Sequence, residues 1–214
     1  IIILILVVEF LWSQYLSYRN RRRMSPHVPL QLQGIYNEED YARQQEYQKT
    51  NSRFGLHTSL FSFAIMFIAL VSGLFGWLDE YLRQFINDEI LLTLAFFGIV
   101  YIVNEIITLP FDYYATFVIE ERFGFNKSTR KIFWLDQLKG LLLTVVLGGG
   151  ILLLIVWFYE TLGVYAWLSA WGAITLFSLF MTFFYSNIIV PMFNKQTPLE
   201  EGELREAIET FSST

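Results

Sequence analysis

Few residues of this 214-residue chain have the types and spacing that chemistry requires. The chain has two histidines, His27 and His57, and no cysteine. Neither histidine belongs to an H-E-x-x-H motif or has a second ligand patterned near it, so the pattern predicts no metal site on them. We interpret His57 as an interfacial residue at the start of an apolar run. The absence of cysteine excludes disulfides and thiolate metal sites.

Two polar residues, Asn104 and Glu105, lie inside an apolar run at residues 90–109. A carboxylate in hydrocarbon is costly, so it should face a partner or a water-filled cavity. Because Pro110 follows closely, Glu105 lies near the end of the run. Two interpretations stay open, a structural acid that reaches the nearby boundary or an acid that lines a functional cavity. Glu9 allows the same two interpretations.

A charged segment of mixed sign lies at residues 117–140, FVIEERFGFNKSTRKIFWLDQLKG, between two apolar runs. Charges of both signs alternate there with aromatic residues. Such a segment needs water or polar partners, so the elements around it must place it outside the hydrocarbon layer.

Those elements are apolar runs long enough to cross a membrane. The chain is 54% hydrophobic and 16% charged, with a mean hydropathy of +0.43, whereas about a quarter of the residues of a soluble domain are charged. The runs at residues 60–78, 90–109, 141–159 and 165–190 each approach or exceed twenty residues. At 1.5 Å per residue such a run spans the roughly 30 Å hydrocarbon layer as a helix.

The first apolar run ends at Trp12 and is too short to cross alone. We interpret it as the visible end of a fifth helix, extending to about residue 17, whose start is missing. Arginines at 19 and 21–23 follow this run, whereas the charges of a signal peptide precede its apolar segment. A short anchor stays open as an alternative. The sequence therefore predicts an all-α, multi-pass membrane domain with five membrane helices, the first truncated, and with cytoplasmic helical connections.

The positions of Lys and Arg predict the orientation. Seven lie in residues 13–59, five in residues 110–140 and two after the last run, whereas Arg83 alone lies in the two remaining connections. Basic residues favour the cytoplasmic side of short loops. Both long connections and the C-terminal tail are therefore predicted to be cytoplasmic, and the N-terminus extracytoplasmic.

Two polar segments, one before the second apolar run and one after the last, carry signals for the start of a helix. Asn37 precedes three acidic residues, which predicts an N-cap and a polar helix whose Tyr47, Thr50 and Phe54 dock on a neighbour. Residues 197–200, Thr-Pro-Leu-Glu, have the form of a capping box, and an apolar stripe follows at Leu204, Ala207, Ile208 and Phe211.

Two further patterns have local interpretations. The basic run at residues 18–23, YRNRRR, is interpreted as an orientation anchor at the lipid headgroups, with specific lipid recognition as the alternative. Gly148–Gly150 predicts either the close approach of a neighbouring helix or a bend.

Three segments together resemble the type I CAAX prenyl proteases, which are integral membrane zinc metalloendopeptidases. They are LPFDYYATFVIEERFGFNKST at residues 109–129, EDYARQQEYQKTNSRF at 39–54 and YSNIIVPMFNKQTPLEEGELREAIE at 185–209. Phe133, Asp136 and Lys139 extend the first segment, and the five-crossing layout is also shared.

The resemblance implies that the helices enclose a water-filled chamber, which a metalloprotease domain caps on the cytoplasmic side. Residues 1–190 would be the membrane domain, and residues 191–214 the linker and the start of the protease domain. The residues expected to contact the cap through salt bridges and helix caps, rather than to contact substrate, are Glu120, Glu121, Arg122, Asn126 and Asp136.

The resemblance also implies one zinc ion, bound by an H-E-x-x-H helix and a further Glu beyond the 214 residues. No catalytic or metal-binding residue is therefore assigned within this chain, and the chain alone is predicted to be inactive. The expected partners are the lipid bilayer, a peptide or lipidated protein substrate and the chain's own C-terminal protease domain, with no nucleic acid.

Two non-enzymatic functions stay open, a transporter or channel with Glu105 in its pathway and a structural scaffold. Transporters commonly contain internal repeats, and none is visible across the runs. The compact connections favour a bacterial inner membrane, with the endoplasmic reticulum as the alternative.

Overall fold

In the computed structural model, residues 1–29, 34–35, 37–195, 197, 199 and 201–212 are described. These residues form helices and contain no strand, so the predicted all-α class is confirmed. The chain divides into two compact units, Ile1–Leu135 and Asp136–Thr214. The α-helices are α1 (Ile2–Arg23), α2 (Glu38–Val71), α3 (Leu74–Leu82), α4 (Glu89–Tyr114), α5 (Glu121–Phe123), α6 (Arg130–Leu143), α7 (Gly149–Leu162), α8 (Ala166–Phe184), α9 (Val190–Phe193) and α10 (Glu203–Ser212).

Four continuous helical stretches are long and apolar enough to cross a membrane, namely Ile2–Arg23, Glu38–Val71, Glu89–Phe123 and Arg130–Phe193. The last stretch contains a 3₁₀ turn at Gly163–Tyr165. This turn joins α7 to α8, and the two helices pack against each other. The stretch therefore holds two of the predicted spans. The prediction of a multi-pass membrane domain is confirmed.

In the first unit, α1 and α2 run antiparallel in a single register. The rings of Phe10 and Phe63 stack with centroids 4.0 Å apart. One turn further along α1, Gln14 Nε2 donates to Ser59 Oγ at 2.9 Å. Residues later in α1 therefore contact residues earlier in α2, as an antiparallel pair requires.

The same helix α2 also runs antiparallel to α4. The ring of Phe61 lies 5.1 Å from Phe111, and Phe54 stacks on Tyr114 at 5.2 Å. α2 begins as predicted, because the Asn37 side chain accepts a hydrogen bond from the backbone N–H of Glu39 at 2.9 Å. The predicted docking of Phe54 on a neighbour is confirmed.

The apolar run at residues 60–78 forms two helices. α2 ends at Val71, Gly73 adopts a left-handed conformation with φ +71°, and α3 follows. Gly73 supplies a backbone angle that other residues adopt at a cost. Hydropathy alone shows one uninterrupted run there, because the residues flanking the break are apolar.

In the second unit, α7 and α8 form a hairpin. Two alanines of α8, Ala166 and Ala170, are buried, with exposures of 1% and 7%. Small residues allow two helices to approach closely. A Cβ at Gly149 or Gly150 would meet no atom within 4 Å in the described structure. No described residue thus approaches these two glycines closely, and a widened π-helical turn lies at Thr144–Gly148. The close approach of a helix there stays a prediction.

The C-terminal amphipathic helix begins at Glu203, later than the capping box predicts. Pro198 and Glu200 of that box lie outside the described residues. Leu204, Ile208 and Phe211 are exposed by 64%, 52% and 86%. The apolar stripe is thus on the surface of α10.

Candidate functional site

The charged segment forms a corner between two helices, and we call residues 120–130 the corner. α4 continues through Pro110 and a π-helical turn at Ala115–Glu120 into α5. The helix ends at Gly124, which has φ +76°. The backbone N–H of Phe125 donates to Glu120 O at 2.9 Å, and that of Gly124 donates to Glu121 O at 3.1 Å. This pair of bonds is the Schellman motif, which requires a left-handed residue at the position of Gly124.

The polar side chains of the corner complete the turn into α6. Asn126 Nδ2 donates to Glu121 Oε2 at 2.7 Å, and Asn126 Oδ1 accepts from the N–H of Ser128 at 2.7 Å. Thr129 Oγ1 accepts from the N–H of Ile132 at 3.3 Å and so caps α6. Asn and Thr suit these positions because their side-chain oxygens satisfy nearby backbone donors. The segment is polar because it must end one helix and start another.

Three α2 residues, which we call the clamp, hold the corner: Arg43, Glu46 and Tyr47. Arg43 Nη2 donates to Phe123 O at 2.6 Å, and Glu46 Oε1 lies 3.1 Å from Arg122 Nη2. The Tyr47 ring meets the Phe123 ring edge-on at 5.3 Å. The predicted docking of Tyr47 is confirmed.

The contacts of the clamp differ in energetic weight. The side chains of Arg122 and Glu46 are 64% and 59% exposed, and such an ion pair contributes about 0–1 kcal/mol. A hydrogen bond from a charged group to a carbonyl contributes about 1.5–3 kcal/mol, and Phe123 is only 5% exposed. The contact of Arg43 with Phe123 therefore dominates the polar contacts that hold the corner.

An aromatic cluster next to the corner joins α4 and the π-helical turn to α6. The rings of Tyr113 and Phe117 lie 5.6 and 5.5 Å from that of Phe133, which is 8% exposed. Ile119, in the π-helical turn, is also buried, at 4% exposure. This cluster fixes the start of α6 relative to α4 within the first unit.

The intramembrane polar residues lie on different faces of α4. Asn104 lines a cavity of about 320 Å³ between α2, α3 and α4, and Glu105 is not among the lining residues. Thr108 Oγ1 donates to the backbone carbonyl of Asn104 at 3.0 Å. The role of Glu105 stays a prediction. The other lining residues are apolar apart from one serine: Ser62, Ile65, Met66, Ala69, Leu74, Phe75, Trp77, Leu78, Ile99, Val100, Val103 and Ile107.

The residues predicted to contact a cap have local partners. The pairs Arg122–Glu46 and Glu121–Asn126 lie within the first unit, and the backbone carbonyl of Glu120 belongs to the Schellman motif. These contacts are a salt bridge and turn-forming hydrogen bonds within the described residues. Contact of these residues with a further domain stays a prediction.

In the second unit, Asp136 lies next to Lys139, with Asp136 Oδ1 3.4 Å from Lys139 Nζ. Lys139 Nζ also donates to Met192 O at 2.8 Å and lies 5.4 Å from the centre of the Phe193 ring. Lys139 thus holds the end of the last apolar helix against α6.

Sequence reasoning did not single out Arg43. It recognised the segment at residues 39–54, but the partner of Arg43 is a backbone carbonyl 80 residues away. A carbonyl has no sequence signature. The signal that was present is the placement of Arg43 one turn before Tyr47, on the face predicted to dock.

The described part of the chain contains no group of three or more His, Cys, Asp or Glu residues that could hold a metal ion. The zinc site that the resemblance implies is therefore not assigned to these residues. No step of metal chemistry is assigned to them.

Comparison with known proteins identifies the same architecture. Residues 17–195 match the family model described as "CAAX prenyl protease N-terminal, five membrane helices". The crystal structure of S. mikatae Ste24p is similar, with a TM-score of 0.88 and 26% identity over 99% of this chain and 51% of that one.

Curated relatives match over nearly the whole chain. The CAAX prenyl protease 1 homolog of Oryza sativa subsp. japonica is 35% identical over 98% of this chain and 51% of its own length. The Homo sapiens homolog is 30% identical over 96% of this chain and 45% of its own length. The chain thus spans about half the length of the relatives it matches.

Proposed function

Because the chain belongs to the CAAX prenyl protease family, we propose that it is the N-terminal membrane domain of a membrane zinc metalloendopeptidase. The observation that carries this proposal is the TM-score of 0.88 to Ste24p over 99% of the chain. In this proposal the helices hold the enzyme in the bilayer and form the wall of the chamber in which a substrate is cleaved.

We propose that residues 1–190 are the membrane domain and that residues 191–214 are the linker and the start of a protease domain. The zinc ion would be bound by that protease domain, as the resemblance to the family implies. The relatives are named CAAX prenyl proteases, which supports a membrane-associated or lipidated peptide as the substrate.

The corner and α10 are proposed to contact the protease domain. Glu121 and Arg122 are exposed although they also have local partners. The exposed apolar residues of α10 need a cover, which a following domain would provide. Glu120, Asn126 and Asp136 are half-buried. We propose that they also contact the protease domain.

The proposed function predicts activity only in the longer polypeptide. The full-length protein, reconstituted in lipid nanodiscs, is expected to cleave a farnesylated peptide with a CAAX carboxyl terminus, and a zinc chelator should abolish cleavage. Residues 1–214 alone are expected to cleave nothing and to retain no stoichiometric zinc. Peptide fragments are measured by mass spectrometry and zinc by elemental analysis.

Two outcomes would contradict this proposal. Zinc-dependent cleavage by residues 1–214 alone would show that the catalytic site lies within them. The absence of an H-E-x-x-H motif from the full-length protein would refute the proposed peptidase activity, since that motif supplies two zinc ligands and the general base.

We propose that the clamp and the corner face the cytoplasm, with the loop between α3 and α4 on the opposite side. The contact of Arg43 with Phe123 supports a common side for the first two. Eleven basic residues of the first unit lie outside the α3–α4 loop, which holds Arg83 alone, and this imbalance favours the cytoplasm for the side of the clamp and the corner.

Two glutamines allow a matched test of this orientation. Gln48, on α2, and Gln84, after α3, are both exposed, and the chain has no cysteine of its own. In sealed vesicles with the cytoplasmic face outward, Gln48→Cys should react with a membrane-impermeant maleimide and Gln84→Cys should react only after detergent is added. The reverse pattern would refute the orientation.

The membrane that holds the chain stays a prediction. The relatives reported above are eukaryotic, which supports the endoplasmic reticulum and gives no support to the bacterial inner membrane that the sequence favoured.

A further inference from the structure

Basic residues gather at one end of the α1–α2 hairpin. Four arginines, at 19 and 21–23, form the last turns of α1. The contacts Gln14–Ser59 and Arg21–Ser52 fix the antiparallel register. This register places Lys49 and Arg53 of α2 at the same end. We call these six residues the basic cluster.

Aromatic rings and a backbone carbonyl contact three of these six residues. Arg19 lies over the Tyr15 ring at 5.9 Å, and Arg22 lies over the Tyr18 ring at 5.6 Å. Arg21 Nη1 donates to the backbone carbonyl of Ser52 at 3.1 Å.

None of the six charges of the cluster has an acidic partner among the residues that the structure describes. Ion pairs within the described parts of the chain involve Arg83, Arg122, Lys139 and Arg205, and none involves a residue of the cluster. Five of its six residues are exposed, Arg21 being half-buried. Like charges so close together repel unless an anion lies between them.

The predicted membrane span of α1 places the cluster close to the lipid headgroups. This span ends at about residue 17, so at 1.5 Å per residue the backbone of the four arginines lies about 3 to 9 Å beyond it. The headgroup layer on each side of the hydrocarbon is roughly 5–7 Å thick. Trp12, Tyr15 and Tyr18 are 61%, 47% and 49% exposed, as is usual for aromatic residues at a membrane interface.

We propose that the basic cluster binds the headgroup of an anionic phospholipid in the adjacent leaflet, where the phosphate is not neutralised by a choline. Guanidinium groups bind phosphate through two parallel hydrogen bonds, and α1 and α2 both carry them at this end of the hairpin. Orientation in the membrane needs only net positive charge, whereas a lipid site also produces a preference among headgroups. The inference depends on α1 being a membrane helix and is independent of any peptidase activity.

The test measures that preference on the full chain. Native mass spectrometry of the chain in detergent, titrated with phosphatidylserine or phosphatidylcholine, gives an apparent Kd for each lipid. We expect phosphatidylserine to bind at least about tenfold more tightly, because each basic residue near a membrane surface contributes roughly fivefold. The variant with Arg19→Gln, Arg22→Gln and Arg23→Gln should lose this preference, and it retains Arg21 and its contact with Ser52.

Two controls keep the result interpretable. Arg83→Gln removes a cation that Asp79 and Glu89 already neutralise and should leave the preference unchanged. The triple variant must also pass the Gln48→Cys labelling test, which shows that its orientation is retained. A triple variant that is correctly oriented and keeps the preference would overturn the proposal.

Inorganic phosphate separates a lipid site from a site for free anions. Millimolar inorganic phosphate should leave phosphatidylserine bound, because the acyl chains hold the lipid beside α1. Displacement of the lipid by inorganic phosphate would show a free-anion site and would also overturn the proposal.

Discussion

Replacement of Phe123 by alanine is expected to lower the free energy of unfolding by about 3–5 kcal/mol, the usual cost of deleting a buried phenylalanine side chain. The side chain is 5% exposed and lies against Tyr47 with ring centroids 5.3 Å apart. A cavity there would loosen the end of α5, whose carbonyl Arg43 holds. The measurement is chemical unfolding in detergent micelles, followed by circular dichroism.

Phe125→Ala is the matched control for this substitution. Phe125 belongs to the same corner and also touches Tyr47, with ring centroids 4.7 Å apart, but it is 46% exposed. Its loss should cost about 1 kcal/mol, the value of one aromatic pair. Equal losses for the two variants would show that the corner is not packed around Phe123.

The membrane helices and the start of α2 could be predicted because their signals are local. Asn37 and the acidic residues after it specify an N-cap by themselves, and the cap is present. The spacing of Tyr47 and Phe54 fixes a face of α2 without knowledge of its partner. Runs of about twenty apolar residues identify membrane helices in the same way.

The partners of these faces could not be predicted, because they depend on register over long separations. Glu46 meets Arg122 from 76 residues away, and many other acidic and basic residues offer equivalent charges. Gly73 divides an apolar run at one position, whereas Gly98 within α4 divides nothing. The tertiary context decides which glycine becomes a break.

The candidate site shows the same limit. The segment at residues 117–140 was recognised by its charges, yet its best-defined interactions use backbone. Gly124 and Asn126 form the turn through backbone groups, and Arg43 binds a carbonyl. Charge patterns locate such a segment, but they do not show which groups hold it.

Arg43→Met is expected to destabilise the chain by about 1.5 kcal/mol, the lower end of the range for a hydrogen bond to a charged donor, because the guanidinium is partly exposed. Methionine keeps much of the apolar stem but leaves Phe123 O without this donor. Unfolding in micelles measures the loss.

Glu46→Gln supplies the comparison for Arg43→Met, because it removes only the exposed ion pair with Arg122 and should cost less than about 1 kcal/mol. High salt should reduce the small Glu46 effect by screening and leave most of the Arg43 effect. If Glu46→Gln destabilised the chain more than Arg43→Met, the corner would depend on surface charge. In that case the carbonyl of Phe123 would not be its main point of attachment to α2.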